Sequence, residues 1–122
     1  MKCQHDLPYG IGPHEGQEFD LMRQGKKDVA LFFELKPAGL DDILQDGFCL
    51  LKFPQFIHQS QIYFTRIVFR PGFEVNAIRL KEIVLERAIG INPDREHEIG
   101  KILSYTPEQV DAYIRHVSMK NT

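Results

Sequence analysis

The side chains best suited to bind a metal ion or to transfer protons are five histidines, two cysteines and the acidic residues beside them. The densest group lies near the N-terminus and comprises Cys3, His5, Asp6, His14 and Glu15. Its spacing matches no standard zinc motif, and we interpret the segment as a solvated terminus. The EHE triplet at residues 96–98 would lie on one helix, where adjacent side chains point apart and cannot converge on one ion. The sequence therefore predicts no metal site and no cofactor.

Motifs of known enzyme classes are also missing from the sequence. It contains no G-x-S-x-G elbow, no P-loop, no dinucleotide-binding fingerprint and no H-E-x-x-H. The stretch GIGPHEG, residues 10–16, has three glycines but follows no predicted strand, and its spacing does not suit a pyrophosphate. A histidine that meets a carboxylate only in the folded chain is the remaining enzymatic alternative. We favour a protein that is not an enzyme.

Length, composition and charge set the broad class. The chain has 122 residues, 43% hydrophobic and 26% charged, which is typical of a single soluble globular domain spanning residues 1–122. A formal net charge of −2 provides no global positive field to attract nucleic acid or an anionic membrane. Cys3 and Cys49 lie far apart and indicate no disulfide framework. No apolar run is long enough to cross a bilayer, and the first residues lack the apolar core of a signal peptide. We therefore expect a cytoplasmic protein with no membrane partner.

The chain before the first strand predicts an irregular start followed by one helix. Residues 1–12 carry glycine and proline without an apolar period, so we expect no regular structure there. The stretch PHEGQEFDLMRQG, residues 13–25, predicts a helix that ends at Gly25. The basic pair Lys26-Lys27 that follows is typical of a solvated loop.

Three strands are predicted next. DVALFFEL, residues 28–35, has two largely apolar faces, one of them carrying Phe32 and Glu34, and is typical of a strand covered on both sides or by a partner. LDDILQDG predicts a short helical turn closed by its glycine. FCLLKF and QIYFTRIVF, residues 48–53 and 61–69, predict an antiparallel pair. Pro54 is expected to end the first of these two strands, and PQFIHQSQ to connect them.

The helical part of the chain is predicted at residues 74–118. EVNAIRLKEIVLERAIG carries two adjoining apolar stripes, which we expect to form one broad buried face before Gly90 ends the helix. The stripes comprise Val75, Ile78, Leu85 and Ile89, and Ala77, Leu80, Val84 and Ala88. Asn92 predicts the cap of the next helix, and Thr106 with Gln109 predicts a capping box for the last one. The order of one helix, about three mostly antiparallel strands and three helices packed on them predicts an α+β fold.

Residues 96–117 resemble the helix-turn-helix of bacterial transcription regulators and sigma-factor-like domains. Gly100 stands where that motif needs a small residue, and Val110 stands where it needs an apolar anchor. The turn carries Ser104, where glycine is usual. The resemblance implies a DNA-binding regulator.

The chemistry of this segment is less favourable to DNA binding. The residues that would contact DNA are Lys101, Thr106, Gln109 and Arg115. Glu108 and Asp111 would face the phosphates from the same surface, and neutralising several phosphates is what gives such binding its strength. Nucleic acid is therefore the less favoured partner, and DNA binding is the alternative hypothesis.

The leading hypothesis is a small non-enzymatic binding or interaction protein, an accessory protein of bacterial type. It rests on an excess of apolar surface in the predicted strands. Where helices leave that surface uncovered, it would pair with a protein partner or with another copy of the chain, and we predict a homodimer. A pocket lined by phenylalanine and tyrosine that binds a small apolar ligand is a variant of this hypothesis.

Overall fold

A computed structural model of the chain describes residue 14 and residues 16–33, 36–86 and 92–120. These residues form five helices and three strands, in the order predicted, and the α+β class is confirmed. The elements are α1 (Glu18–Arg23), β1 (Val29–Phe33), α2 (Leu40–Gln45), β2 (Cys49–His58), β3 (Gln61–Phe69), α3 (Glu74–Glu86), α4 (Pro93–Ile102) and α5 (Pro107–Lys120).

The three strands form one antiparallel sheet in the order β1-β3-β2. Strand β3 is therefore the central one, and β1 pairs with it from Val29 opposite Phe69 to Phe33 opposite Thr65. Strands β2 and β3 form a hairpin with a two-residue turn, Gln59 and Ser60. The φ angle is 52° at Gln59 and 66° at Ser60. Two successive positive φ angles are typical of the type I′ turn, whose twist matches that of paired strands.

The prediction that Pro54 ends the second strand was wrong. Strand β2 continues through it to His58, and the pairing register with β3 shifts between Pro54 and Phe56. The physical reason is that β2 lies at the edge of the sheet. No strand within the described ranges pairs with its outer side, so a bulge or a proline that faces outward breaks no hydrogen bonds to another strand. The predicted connection is thus the far end of a long hairpin.

Both faces of the sheet are covered near β1. On one face the core joins the sheet to α3 and α4 and comprises Val29, Phe53, Ile67, Phe69, Ala77, Leu80, Ile83, Val84, Ile99 and Leu103. On the other face Ala30 and Val68 pack with Met22, Leu40 and Ile43 of the two short helices. Both faces of β1 are therefore buried at Val29 and Ala30, and the cover decreases towards Phe33, which is 40% exposed.

The predicted signals at the helix boundaries are confirmed at the end of α1 and at the start of α4, but not at the start of α1. Helix α1 begins at Glu18, five residues later than predicted from Pro13, because Gly16 adopts a left-handed φ of 80° in the preceding turn. It ends just before Gly25, as predicted. Asn92 caps α4 by accepting a hydrogen bond from the backbone N–H of Arg95 at 3.2 Å. The predictions for residues 1–12 and for residues 88–90 lie outside the described residues.

None of the helices in the described ranges is long and apolar enough to cross a membrane.

Candidate functional site

Helix α3 exposes three large apolar side chains on one side. Val75 is 79% exposed, Ile78 53% and Leu85 45%. The prediction of one broad buried face was therefore wrong, since only the stripe that contains Leu80 and Val84 is buried. We call Val75, Ile78 and Leu85 the α3 stripe.

The division of α3 follows from the helical period. A helix that lies on one sheet presents only part of its circumference to it, and in α3 that part is filled by Ala77, Leu80, Ile83 and Val84. The α3 stripe is turned away from this contact. Three exposed apolar residues at helical spacing on one element are more than the isolated exposed leucine or valine that a protein surface normally tolerates.

Charged side chains of both signs border the α3 stripe and connect α3 to α4. Arg79 donates from Nε and Nη2 to the two carboxylate oxygens of Glu98, at 2.7 and 3.0 Å, and from Nη1 to Glu82 at 3.4 Å. The bond to Glu98 raises the pKa of Arg79 above its already high usual value, and the bond from Arg79 lowers the pKa of Glu98. The planar guanidinium matches a carboxylate in this two-bond geometry, so the orientation of α3 against α4 is defined at its surface.

Exposed apolar side chains also lie at the far end of the hairpin, with Phe56 on one face of the sheet and Ile57 and Ile62 on the other. Phe56, Ile57 and Ile62 are 44%, 71% and 49% exposed, and we call these three residues the hairpin tip. The ring of Phe56 stacks on that of Tyr63, with centroids 5.0 Å apart and an interplanar angle of 17°. Helix α3 and the short helices cover the opposite end of the sheet, so the hairpin tip has no helix packed on it among the described residues.

The C-terminal helix pair has the close crossing that the helix-turn-helix resemblance predicts. A Cβ atom added at Gly100 would clash with Cγ2 of Val110 and would lie 3.6 Å from Cβ of Tyr105. Ser104 adopts a left-handed φ of 68° in the turn between α4 and α5, where glycine is usual in the motif. Sequence reasoning located both positions correctly, because the signals for a close crossing and for a sharp turn are local.

Three of the four residues proposed to contact DNA are exposed on this helix pair, and the fourth, Gln109, takes part in a helix cap. Lys101, Thr106 and Arg115 are exposed. Gln109 accepts a hydrogen bond from the backbone N–H of Thr106 at 2.8 Å, and its own N–H donates to the hydroxyl of Thr106 at 3.1 Å. This is the predicted capping box, and it occupies the one amide side chain suited to reading a base.

Acidic groups remain on the same surface. Glu108 is exposed, and Asp111, 53% exposed, pairs with His97 through a 2.8 Å contact from Oδ1 to Nε2. The described residues around Arg115 therefore form no continuous positive ridge.

Lys27 forms a buried polar contact that the sequence did not predict. The prediction of a solvated basic pair holds for Lys26, which is exposed, and was wrong for Lys27, whose exposure is 1%. Its ammonium donates to the backbone carbonyl of Leu103, lies 3.0 Å from Nδ1 of His14 and sits 4.8 Å from the ring centroid of Tyr105. No local pattern marks one of two adjacent lysines for burial.

Burial lowers the pKa values of both Lys27 and His14 in this contact. It lowers the pKa of Lys27 from 10.5 to about 8, against an opposing influence from Glu18. Burial, and then the charge of Lys27, lowers the pKa of His14 from 6.5 to about 4, so the imidazole is neutral and its Nδ1 accepts a hydrogen bond. Lysines with a lowered pKa serve as nucleophiles in some enzymes, but this one is enclosed and satisfies a carbonyl at the C-terminal end of α4. The contact therefore joins the segment before β1 to the turn between α4 and α5.

The histidines that could act in catalysis lie apart. His58 is exposed at the end of β2, His97 pairs with Asp111 at the surface, and His14 contacts Lys27. His116 is half-buried, and His5 lies outside the described residues. Among the described residues, no group of three or more potential ligands is placed to hold a metal ion.

Comparison with known proteins gives no further constraint: no family, no curated protein and no solved structure matches the chain.

Proposed function

We propose that the protein is a non-enzymatic interaction module that forms a homodimer through the α3 stripe. The observation that carries the proposal is the exposure of Val75, Ile78 and Leu85 on one side of a helix whose other side is fully packed. Burying these side chains against a second copy would remove apolar surface from water at about 25 cal/mol per Å². A cytoplasmic location belongs to the proposal and is supported by the free thiol of Cys49, which suits a reducing compartment.

The spacing of the stripe suits a two-fold contact. Val75, Ile78 and Leu85 occupy three of the four positions 75, 78, 82 and 85, whose intervals of three, four and three residues are the heptad-like spacing of packed helices; the remaining position is Glu82. The spacing of these four positions reads the same in both directions, so an antiparallel pair would place Val75 against Leu85 of the partner subunit and Ile78 against Glu82 of the partner subunit. A two-fold interface requires such a self-complementary surface.

The charges at the border support the same arrangement. Arg79 and Glu82 flank Ile78, so the border of the stripe carries charges of both signs. Two copies related by a two-fold axis can therefore place opposite charges near each other. Three side chains from each copy form a small interface, below the size of a typical stable complex. We therefore expect weak self-association, with dimers forming at micromolar concentrations and above.

Sedimentation equilibrium tests the proposal with two matched variants. Ile78→Glu should convert the protein to a monomer, because it places a charge at the centre of the contact. Ile62→Glu changes an isoleucine of similar exposure on the hairpin tip and should leave the dimer intact. A wild-type chain that stays monomeric at high micromolar concentration would overturn the proposal, and loss of the dimer in Ile62→Glu alone would move the interface to the hairpin tip.

DNA binding is a second candidate, favoured by the close crossing at Gly100 and the left-handed turn at Ser104. It is tested by fluorescence polarization with duplex DNA at several salt concentrations. Binding that falls steeply with salt and is weakened by Lys101→Ala and Arg115→Ala would support it. The absence of any change at low salt would exclude it. The exposed carboxylates of this surface make it the weaker of the two candidates.

A further inference from the structure

A row of three residues crosses the sheet on the face that α1 and α2 partly cover. Arg66 of β3 lies opposite Phe32 of β1 and opposite Lys52 of β2, so all three side chains project from the same face. We call these residues the Arg66 row. In the next row, Ala30 and Val68 are buried under the short helices, whereas Leu50 of β2 is 37% exposed.

The Arg66 row lies at the margin of that helical cover. Phe32 is half-buried and its ring contacts that of Phe19, with centroids 5.3 Å apart. Arg66 is half-buried and Lys52 is exposed. The row therefore passes from the packed side of the sheet to solvent within three neighbouring strands.

Two positive charges occupy neighbouring positions of this row. Like charges directly opposite each other on paired strands are destabilising. In the described part of the chain, every ion pair involves other residues, and neither Arg66 nor Lys52 lies within salt-bridge distance of a carboxylate. The ammonium of Lys52 is instead placed 4.5 Å above the ring centroid of Phe64.

Arg66 also has an unsatisfied donor. Its Nη1 is buried and has no hydrogen-bond partner among the described residues. Arg70, four residues further along the chain, shows how the donors of a guanidinium are usually satisfied. It donates to Asp28 at 2.9 Å and to the carbonyls of Met22 and Lys27. A buried donor without an acceptor costs free energy, more so when it belongs to a charged group, and a turn of the half-buried guanidinium that brings Nη1 to an external acceptor would recover that cost.

We propose that the Arg66 row is a binding site for a phosphate monoester or free phosphate. A phosphate monoester carries a charge of about −1.5 to −2 near neutral pH, which matches two unpaired cations better than a single carboxylate does. The guanidinium offers a planar set of donors for its oxygens, and the ammonium adds a second charge. The rings of Phe32 and Phe64 flank the cations, so an aromatic ester group would have an apolar surface beside it.

The site is independent of the α3 stripe and does not rest on the proposed homodimer. Its test is a titration of isotopically labelled protein, at constant ionic strength, with inorganic phosphate, phenyl phosphate and acetate. The side-chain N–H signals of Arg66 and the backbone signals of β2 and β3 are followed by NMR. We expect both phosphates to shift these signals with saturation, phenyl phosphate to bind at least as tightly as inorganic phosphate, and acetate to bind more weakly.

Three variants make the test specific. Arg66→Gln and Lys52→Gln should each weaken phosphate binding by roughly tenfold or more, since each removes a charge-assisted contact. Lys26→Gln removes an equal charge from an exposed lysine outside the row and should change the affinity little. Because Lys52 is exposed, its variant should fold even if Arg66→Gln does not.

The proposal is overturned if phosphate leaves the Arg66 signals unchanged, if Lys52→Gln binds as the wild type does, or if Lys26→Gln weakens binding as much. Glu34→Gln tests the nearest carboxylate in sequence beyond Phe32. If only that variant binds phosphate, the two cations are paired within the chain and the site is not a phosphate site in the native protein.

Discussion

The ammonium group of Lys27 donates a hydrogen bond to the carbonyl oxygen of Leu103, 76 residues further along the chain. The same ammonium contacts the imidazole of His14 and the ring of Tyr105. A buried cation thus connects the start of the described chain to the turn between α4 and α5. This contact makes the stability of the fold sensitive to pH in two separate ranges.

Above neutral pH, the free energy of unfolding should rise because of Lys27. Its pKa is about 8 in the folded protein and 10.5 ordinarily, so between these values the unfolded chain binds more protons than the folded one. Stability therefore increases with pH across this range, by up to ~3 kcal/mol for this residue. Denaturant unfolding from pH 8 to 10.5 measures it. The difference in slope between the wild type and Lys27→Met isolates the lysine from other groups, and equal slopes would contradict the prediction.

Below neutral pH, His14 should make the protein less stable. Its pKa of about 4 in the folded state lies below the ordinary 6.5, so the unfolded chain again binds more protons between the two values. The free energy of unfolding should fall as the pH decreases from 6.5 towards 4. Part of the shift comes from the charge of Lys27, so in Lys27→Met the imidazole resonances should titrate at a higher pH than in the wild type. NMR titration of His14 measures this, and an unchanged pKa would contradict it.

Gly100→Ala should destabilise the protein despite the higher helix propensity of alanine. The added methyl group would clash with Val110, which is buried, and overpacking of this kind costs about 1–3 kcal/mol. The propensity gain offsets at most about 1 kcal/mol of this. Chemical denaturation of Gly100→Ala, Val110→Ala and the double variant checks the cause. The double variant should lose less stability than the sum of the single ones, and strict additivity would mean that the two residues do not meet.

Replacing Gln59 and Ser60 by Asn and Gly should stabilise the protein by about 1 kcal/mol. Both residues adopt positive φ angles, a conformation that costs most amino acids free energy and that Asn-Gly adopts readily in a type I′ turn. Thermal and denaturant unfolding measure the gain. Ser60→Val is the opposing control, because a branched side chain is poorly accommodated at positive φ and should lower the midpoint.

The sequence predicts well those features whose cause lies within a few residues. The caps at Asn92 and Thr106, the small residue at Gly100 and the antiparallel pairing of β2 with β3 all depend on local patterns or on short connections. The α+β order follows from the change of apolar period along the chain. These elements could be assigned without knowledge of the tertiary structure.

Features that depend on which elements meet were not predictable in the same way. The apolar pattern of α3 does not reveal which part of its circumference lies on the sheet, so the exposure of Val75 and Ile78 required the structure. Strand β2 continues through Pro54 because it is an edge strand, and the sequence of β2 does not specify its place in the strand order. Lys27 is buried by contacts with residues at both ends of the chain, while its neighbour Lys26 remains in solvent.

The central position of β3 has a consequence for how the chain folds as it is synthesised. Strand β1 emerges from the ribosome well before its only pairing partner in the described sheet, whereas β2 needs just a two-residue turn to meet β3. Closing a short loop costs less entropy than closing a long one, so we expect the hairpin of β2 and β3 to form first and β1 to pair with β3 afterwards. Until that docking, the apolar side chains of β1 are exposed, and such transiently exposed surface is prone to aggregation.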